Sequence, residues 1–247
     1  MPSSTGTIAI VTGASRGIGR AIAQRLAADG SKVIVHFGAD AAAADETVRS
    51  IVAAGGEARP IAADLRDLTQ VDRLLADVDA HEGRIDILVN NAGFSFSGEM
   101  DTITPEIFDR LVETNFRGPF FLTQGALRTM SDGGRIINIS SVSTRVAMPR
   151  ACAYGPTKAA MQNVTLSLAE ALGPRGITVN SVVPGVYDTD MTADWLDEEA
   201  RQRISSLTAH GRIGQVSDIV GLVAFLASEE SGWVTAQIIE ASGGLRL

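Results

Sequence analysis

One stretch near the start of the chain narrows the possible folds more than any other. Thr7-Ile8-Ala9-Ile10-Val11-Thr12 is a short apolar run of strand type, and it leads directly into Gly13-Ala14-Ser15-Arg16-Gly17-Ile18-Gly19. A helical pattern begins there, with Ile22 and Leu26 on one face and Gly30 as its stop signal. Strand, glycine-rich turn and helix together make a site for a phosphorylated ligand. The glycines let backbone come close, and a helix N-terminus presents free N–H groups and partial positive charge to a pyrophosphate. The spacing is G-x-x-x-G-x-G rather than G-x-G-x-x-G, and no Lys-Ser/Thr follows the last glycine as in a P-loop. Taken alone, such a triad also fits a structural turn with no ligand.

The next strand, Lys32-Val33-Ile34-Val35-His36, completes a βαβ unit, the context in which such a turn binds dinucleotides. NAD-binding units usually end this strand in a carboxylate for the ribose hydroxyls. Here the strand end reads His36-Phe37-Gly38-Ala39, with no acid before Asp40. That gap, together with Arg16 inside the turn, favours a 2′-phosphate and hence NADP(H), with NAD(H) as the second choice. His36 itself reads as a partly buried strand end.

The same alternation continues along 247 residues with no repeat or linker, which predicts a single α/β domain. A helix over Ala41 to Ala54 precedes the strand Ala58 to Ala63, whose Pro60 places it at a sheet edge. Asp64-Leu65 follows, and the carboxylate suits either an adenine amine or a helix cap. After a helix from Asp67 to Glu82, the strand Asp86 to Asn90 ends in Asn90-Asn91-Ala92-Gly93. The asparagines there either edge a ligand site or tie the loop together. Two helices, Pro105 to Asn115 and Gly118 to about Met130, lead to a Gly133-Gly134 turn and the strand Arg135 to Ser141. Later come a strand over Gly176 to Val183 stopped by Pro184-Gly185, an irregular lid-like segment over 187–212, a helix Val216 to Ala227 and a strand Thr235 to Ala241. The expected architecture is a doubly wound Rossmann-type domain, a seven-stranded parallel sheet with helices on both faces.

Between those strands, Cys152-Ala153-Tyr154-Gly155-Pro156-Thr157-Lys158 opens a helical segment with Ala160, Met161, Val164, Leu168 and Leu172 at helical spacing. Tyr154 and Lys158 are four residues apart and so share a side of the helix. A phenol beside an ammonium is an acid/base device, since the cation pulls the tyrosine down from about 10 toward neutrality. An isolated pair of this kind fits a solvated helix surface as well. Cys152 is either a thiol nucleophile or, more simply, a small residue lining a pocket.

Composition excludes several function classes. The net charge is −8 and the pI about 4.9, against a general affinity for nucleic acid or anionic membrane. His36, His81 and His210 are scattered, so no metal site is expected. The lone cysteine fits a reducing cytoplasm, and Met1 to Thr7 shows no secretory pattern. The longest late apolar stretch, Ile219 to Ala227, is too short to span a bilayer.

In combination these residues resemble the short-chain dehydrogenase/reductase family over almost the whole chain. The family's T-G-x-x-x-G-x-G is matched by Thr12-Gly13 to Gly19, its N-N-A-G by Asn90 to Gly93 and its Y-x-x-x-K by Tyr154 and Lys158. The resemblance selects Ser141 over Ser140 as the catalytic serine, 154 − 141 = 13 residues before the tyrosine. It also implies Asn115 as the helix asparagine and Asp64 as the adenine-side acid, and it places Pro184, Gly185, Val186 and Thr189 on the nicotinamide. The implied catalytic set is therefore Asn115, Ser141, Tyr154 and Lys158. The implied cofactor contacts are Gly13, Ser15, Arg16, Gly17, Ile18, Gly19, Phe37, Asp64, Leu65, Asn91, Ala92 and Gly93, the catalytic pair, and Pro184 to Val186 with Thr189.

The family chemistry moves hydride between nicotinamide and a carbonyl. Ser141 would bond the carbonyl oxygen and Tyr154 would protonate it. Lys158 would serve both tyrosine and ribose, and Asn115 would position a water. The closest likeness within the family is to 3-oxoacyl-(acyl-carrier-protein) reductases and related ketoreductases. The implied substrate is a 3-oxoacyl thioester or related small-molecule ketone; an NAD-linked alcohol or sugar dehydrogenase, or a regulator without catalysis, are the alternatives. An acyl carrier protein is a conceivable partner, but Ser131-Asp132-Gly133 stands where the family often has a basic residue, leaving Arg128 and Arg175. Phe94, Phe96, Met148, Tyr187 and Trp195 suit either a roomy apolar pocket or ordinary packing. The family likeness implies a homotetramer, with Met161, Val164 and Leu168 on an outer helix face.

Overall fold

A computed structural model describes residues 6–246, so most of the Met1 to Thr7 segment lies outside the described residues. Its seven strands are β1 (Ile8–Val11), β2 (Lys32–Phe37), β3 (Glu57–Ala62), β4 (Ile85–Asn90), β5 (Met130–Ile139), β6 (Thr178–Pro184) and β7 (Ile238–Ala241). All pair in parallel in the order β3-β2-β1-β4-β5-β6-β7. The strand order reverses between β1 and β4, and in open sheets of this kind ligands bind beyond the strand C-termini at such a point. Pro60 does lie on an edge strand, β3, where its missing N–H costs no ladder bond.

The strands are nearly continuous apolar runs because both faces are covered. Ala9 and Val11, Val33 and Val35, and Ile87 and Val89 face α1 (Gly17–Ala28), α2 (Ala41–Ala53) and α8 (Ser217–Ala227). The alternate residues Ile10, Ile34, Leu88 and Ile136 face α3 (Leu68–Glu82), α5 (Gly118–Ala126) and α6 (Tyr154–Leu172). Two remaining helices, α4 (Pro105–Val112) and α7 (Glu198–Ser206), lie outside these layers in sequence terms, next to the site loops.

Several boundaries differ from the expected ones, each for a local reason. The second of the two mid-chain helices ends at Ala126, and Met130 already pairs with Ile85 in β5. Gly133, at φ +78°, and Gly134 form a register irregularity inside that strand rather than a turn before it. Between α4 and α5 the helix widens into a π-turn over Glu113–Arg117, which carries Asn115. The charged run after Trp195 is not irregular: it is α7, capped by the Asp197 carboxylate on the Ala200 N–H (2.8 Å), with Glu198 and Glu199 in the first turn.

α6 buries Lys158, Met161, Thr165, Ala169 and Leu172. Met161 therefore faces the protomer's interior, contrary to its expected place on an outer face; Val164 and Leu168 are half-buried, and Leu166 is the exposed apolar residue. Pro156 sits in the first turn, where its absent N–H is not required.

Candidate active site

The glycine turn is built for close approach. Gly13 and Gly17 adopt φ +63° and +55°, the left-handed region that favours glycine. A Cβ on Gly19 would lie 2.2 Å from the Gly13 carbonyl oxygen and 2.4 Å from Asn91 Nδ2. The N-terminus of α1 has no side-chain cap and no acidic residue in its first turn. A cradle that any side chain would fill, at an open helix end, fits a pyrophosphate.

Around this turn the predicted residues divide into those facing the cleft and those packed beneath it. Asn91 donates to the Thr12 and Gly13 carbonyls at 2.8 and 3.2 Å, and Thr12 Oγ1 accepts the N–H groups of both Asn91 and Ala92 at 2.9 Å. Asn90 is buried and donates to Thr123 and Asn138, so this half of the pair is structural. The Ser15 carbonyl takes Arg20 and Thr47, and Ile18 packs on the core. The rings and side chains of Phe37 and Leu65 are buried in the two cores, which leaves only their main chain near any ligand. Asp64 is bound by the Arg66 guanidinium, which holds its carboxyl below the usual range; the cap of α3 is Asp67, not Asp64. Asp40 accepts the Ala43 N–H at 3.0 Å as the cap of α2. Arg16 is largely exposed, 3.8 Å from Asp190.

His36 is not merely a partly buried strand end. It is 1% exposed and turned under the glycine turn. Thr12, matched in the sequence only as the first position of the glycine motif, ties the turn to the Asn91-Ala92 loop.

Across the cleft, β5 stops at Ile139, short of the expected Ser141, and Ser141 two residues on caps a 3-10 turn over Val142–Thr144. Its Oγ accepts the Ser143 N–H at 3.2 Å and the Ser143 hydroxyl at 3.0 Å, and its side chain acts on the Tyr154 phenol to lower it. Ser140 instead points inward, taking Gln162 Nε2 at 2.8 Å. Lys158 is buried, and its Nζ donates to the Ile139 carbonyl at 3.0 Å. Burial pushes its pKa down to about 8. Burial also pushes the Tyr154 phenol up to about 12, with the Ser141 hydrogen bond pulling the other way. The expected lowering of the phenol by Lys158 is therefore absent in the protein alone: desolvation outweighs it, and the ammonium is turned to a backbone carbonyl.

Asn115, 1% exposed, clamps the loop after Gly93. Its Oδ1 accepts the Phe94 N–H (2.8 Å), and its amide hydrogens go to the Phe94 carbonyl (2.8 Å) and Thr157 Oγ1 (3.1 Å). Both amide hydrogens are thus committed to protein. A Cβ on Gly93 would stand 3.3 Å from Lys158 Nζ and 3.4 Å from Asn115 Oδ1, which shows how closely these three elements meet.

On the remaining side, Pro184 is buried, Val186 is half-buried, and Gly185 passes so near Ser242 that a Cβ would meet its Cα at 2.9 Å. Thr189 lies over Gly17, its Cγ2 3.8 Å from where a Cβ would be. Tyr187 is largely buried against the core, its hydroxyl donates to the Ala241 carbonyl at 2.8 Å, and it lines a cavity with His210, Arg212 and Ser242. Phe94 carries Arg110 over its ring at 3.9 Å, Phe96 packs on Gly98, Met148 packs on a small side cluster and Trp195 is exposed. Arg175, one of the two cations left for a carrier protein, is tied to Asp132 and to the Leu127 and Met130 carbonyls. Among the described residues no cluster of three or more His, Cys, Asp or Glu could hold a metal, and no helix is long and apolar enough to cross a membrane.

Comparison with known proteins shows the family and the fold. A family model described as enoyl-(acyl carrier protein) reductase matches residues 13–246. Versicolorin reductase 1 of Aspergillus parasiticus is 38% identical, over 97% of this chain and 96% of its own. A 3-oxoacyl-[acyl-carrier-protein] reductase, FabG of Staphylococcus aureus, is also 38% identical, over 96% and 97%. Among solved structures, the angucycline C-6 ketoreductase LanV with bound NADP superposes with a TM-score of 0.93 at 43% identity, over 100% of this chain and 99% of that one.

Proposed function

The chain belongs to the short-chain dehydrogenase/reductase family of oxidoreductases, and from that premise we propose that it is an NADPH-dependent ketoreductase that converts a ketone to a secondary alcohol. The observation that carries this reading is the placement of Ser141, Tyr154 and Lys158 together beyond the strand ends, beside the open glycine turn. NADPH, when bound, supplies the hydride for the carbonyl carbon. Ser141 donates a hydrogen bond to the carbonyl oxygen as negative charge grows there. Tyr154, protonated throughout the neutral range with its pKa near 12, gives that oxygen its proton. Lys158 lies close enough to Gly93 and the Ile139 carbonyl to hold the ribose side of the cofactor.

NADPH is favoured over NADH by two features of the structure. Asp40, the first carboxylate after β2, is engaged as a helix cap, and Arg16 stands exposed in the turn. A free ketone is favoured over a carrier-bound 3-oxoacyl thioester because, of the two cations left for a carrier protein, Arg175 is committed to Asp132 and two carbonyls and only Arg128 remains exposed. The solved LanV structures, one of them with rabelomycin, point the same way. The same proposal includes a reducing, cytoplasmic setting, based on the lone Cys152, and a homotetramer. The exposed Phe121 on α5 and Leu166 on α6 support one contact of such an assembly, and Trp233 and Ile238 at β7 a second; sedimentation velocity tests it.

The deciding experiment follows NADPH absorbance with a carbonyl panel in which polycyclic ketones, simple ketones and β-ketoacyl thioesters stand side by side. Tyr154→Phe is expected to lower turnover by at least about 10²-fold while NADPH still binds. Unchanged turnover in that variant, or no NADPH oxidation with any carbonyl, overturns the reading.

A further inference from the structure

Ser141 Oγ has an unusual neighbour in Ser143. A hydroxyl offers two acceptor positions and one proton. Both acceptor positions are occupied from the same residue, by the Ser143 N–H at 3.2 Å and the Ser143 hydroxyl at 3.0 Å. The Ser141 proton therefore has no reason to turn back into its own loop and is left to point at the phenol or, with substrate bound, at the substrate oxygen.

The loop that sets this up is itself held on α6. Gln162 Nε2 reaches both Ser140 Oγ (2.8 Å) and Thr144 Oγ1 (2.9 Å), and Thr144 in turn closes on the Ser141 carbonyl at 2.8 Å. Gly155, directly after Tyr154, lets the loop lie flush against the helix. A Cβ there would stand 2.9 Å from the Ser143 carbonyl oxygen. Ser143 is thus fixed between the catalytic serine and the first turn of the helix that carries the tyrosine.

We propose that Ser143 is a positioning residue for the reduction, acting through Ser141: its two donors fill the acceptor sites of Ser141 Oγ and so aim the Ser141 proton at the reacting oxygen. This rests on the ketoreductase reading of the site. In the protein alone the Ser141 proton faces the phenol; with a ketone bound it turns to the carbonyl oxygen, where the tyrosine delivers its own proton.

The test compares Ser143→Ala, Ser143→Thr and Tyr154→Phe with the wild type in the presence of a ketone identified from the panel. NADPH affinity, read by fluorescence titration, is expected to stay unchanged in all of them and shows that each variant is folded. Ser143→Ala is expected to lower kcat about tenfold, the scale of one neutral hydrogen bond. It should also move the tyrosine-linked limb of the pH profile to higher pH, because the bond that holds the phenol down is weakened. Ser143→Thr keeps the hydroxyl and is expected to restore both. If Tyr154→Phe loses turnover but Ser143→Ala keeps the wild-type kcat and pH limb, the inference is wrong. Equal impairment of Ser143→Thr and Ser143→Ala overturns it too, since the hydroxyl would then not matter. Retained turnover in Tyr154→Phe removes the ketoreductase reading and this inference with it.

Discussion

The imidazole of His36 receives the backbone N–H of Gly13 on Nδ1 at 3.2 Å, while its Nε2 meets the Ala63 carbonyl at 2.9 Å. Because Gly13 donates and Ala63 accepts, the ring is neutral and carries its proton on Nε2. One buried side chain thus ties the glycine turn to the end of β3. Protonating it would break the bond to Gly13 and place a charge where water does not reach.

That arrangement predicts an acid limit to stability. Burial holds His36 at about 4, against 6.5 in an unfolded chain. Between those values the unfolded chain binds more protons, so stability rises with pH across the window and is lost as pH falls toward 4. His36→Asn keeps a donor and an acceptor but does not titrate. Relative to this variant, wild type is expected to lose on the order of 2 kcal/mol between pH 7 and pH 4.5. Urea unfolding at the two values checks it; parallel losses in both proteins count against it.

Lys158 gives the opposite end of the scale. Its pKa is pushed down to about 8 in the fold, against about 10.5 when unfolded. From about pH 8 to about pH 10 the unfolded state again binds more protons, and the penalty of the buried ammonium is relieved as pH rises. The stability of wild type relative to Lys158→Met is expected to improve by on the order of 2 kcal/mol over that range. Chemical denaturation at pH 7.5 and pH 10 is the measurement, and a flat difference would refute the assignment.

Gly19 faces the Gly13 main chain, which cannot yield as a side chain can, together with the Asn91 amide. A Cβ 2.2 Å from the Gly13 oxygen forces the turn itself to move. Gly19→Ala is expected to weaken NADPH binding by more than about tenfold and to lower stability by about 1–3 kcal/mol. Calorimetric titration and thermal unfolding, run together, separate the two effects. Gly38→Ala, whose Cβ meets nothing within 4 Å, is the control for backbone stiffening alone.

Arg16 is the cation that would read the 2′-phosphate. Arg16→Ala is expected to raise KM for NADPH about tenfold, the scale of one charge-assisted hydrogen bond, and to leave KM for NADH nearly unchanged. Equal changes for both cofactors would mean that Arg16 serves the pyrophosphate or Asp190 instead.

Much of the fold was legible because it is written in local pattern. The alternation of apolar strands with amphipathic helices predicts the parallel sheet, and Pro60 alone places β3 at an edge. The glycine spacing, the N-N-A-G loop and the Tyr154–Lys158 pair could each be found by counting residues. Boundaries failed where neighbours in space decided them. Met130 has a helical run behind it but pairs with Ile85, and the charges after Trp195 become a helix once Asp197 caps them.

From the sequence alone, then, follow the alternation of strand and helix, the strand that opens the glycine turn and the helical spacing that sets Tyr154 and Lys158 on one side. These depend on periods of two and of about 3.6 residues, which neighbours along the chain already contain. Tertiary structure decided the rest. It turned His36 inward to a residue 23 positions away, committed Asp40 to a cap, spent Asn115 on Phe94 and Thr157, and tied the Tyr187 hydroxyl to the Ala241 carbonyl. It also set the proton affinities, lifting the tyrosine and lowering the lysine. Desolvation is the sum of everything packed around a group, and no spacing along the chain records that sum.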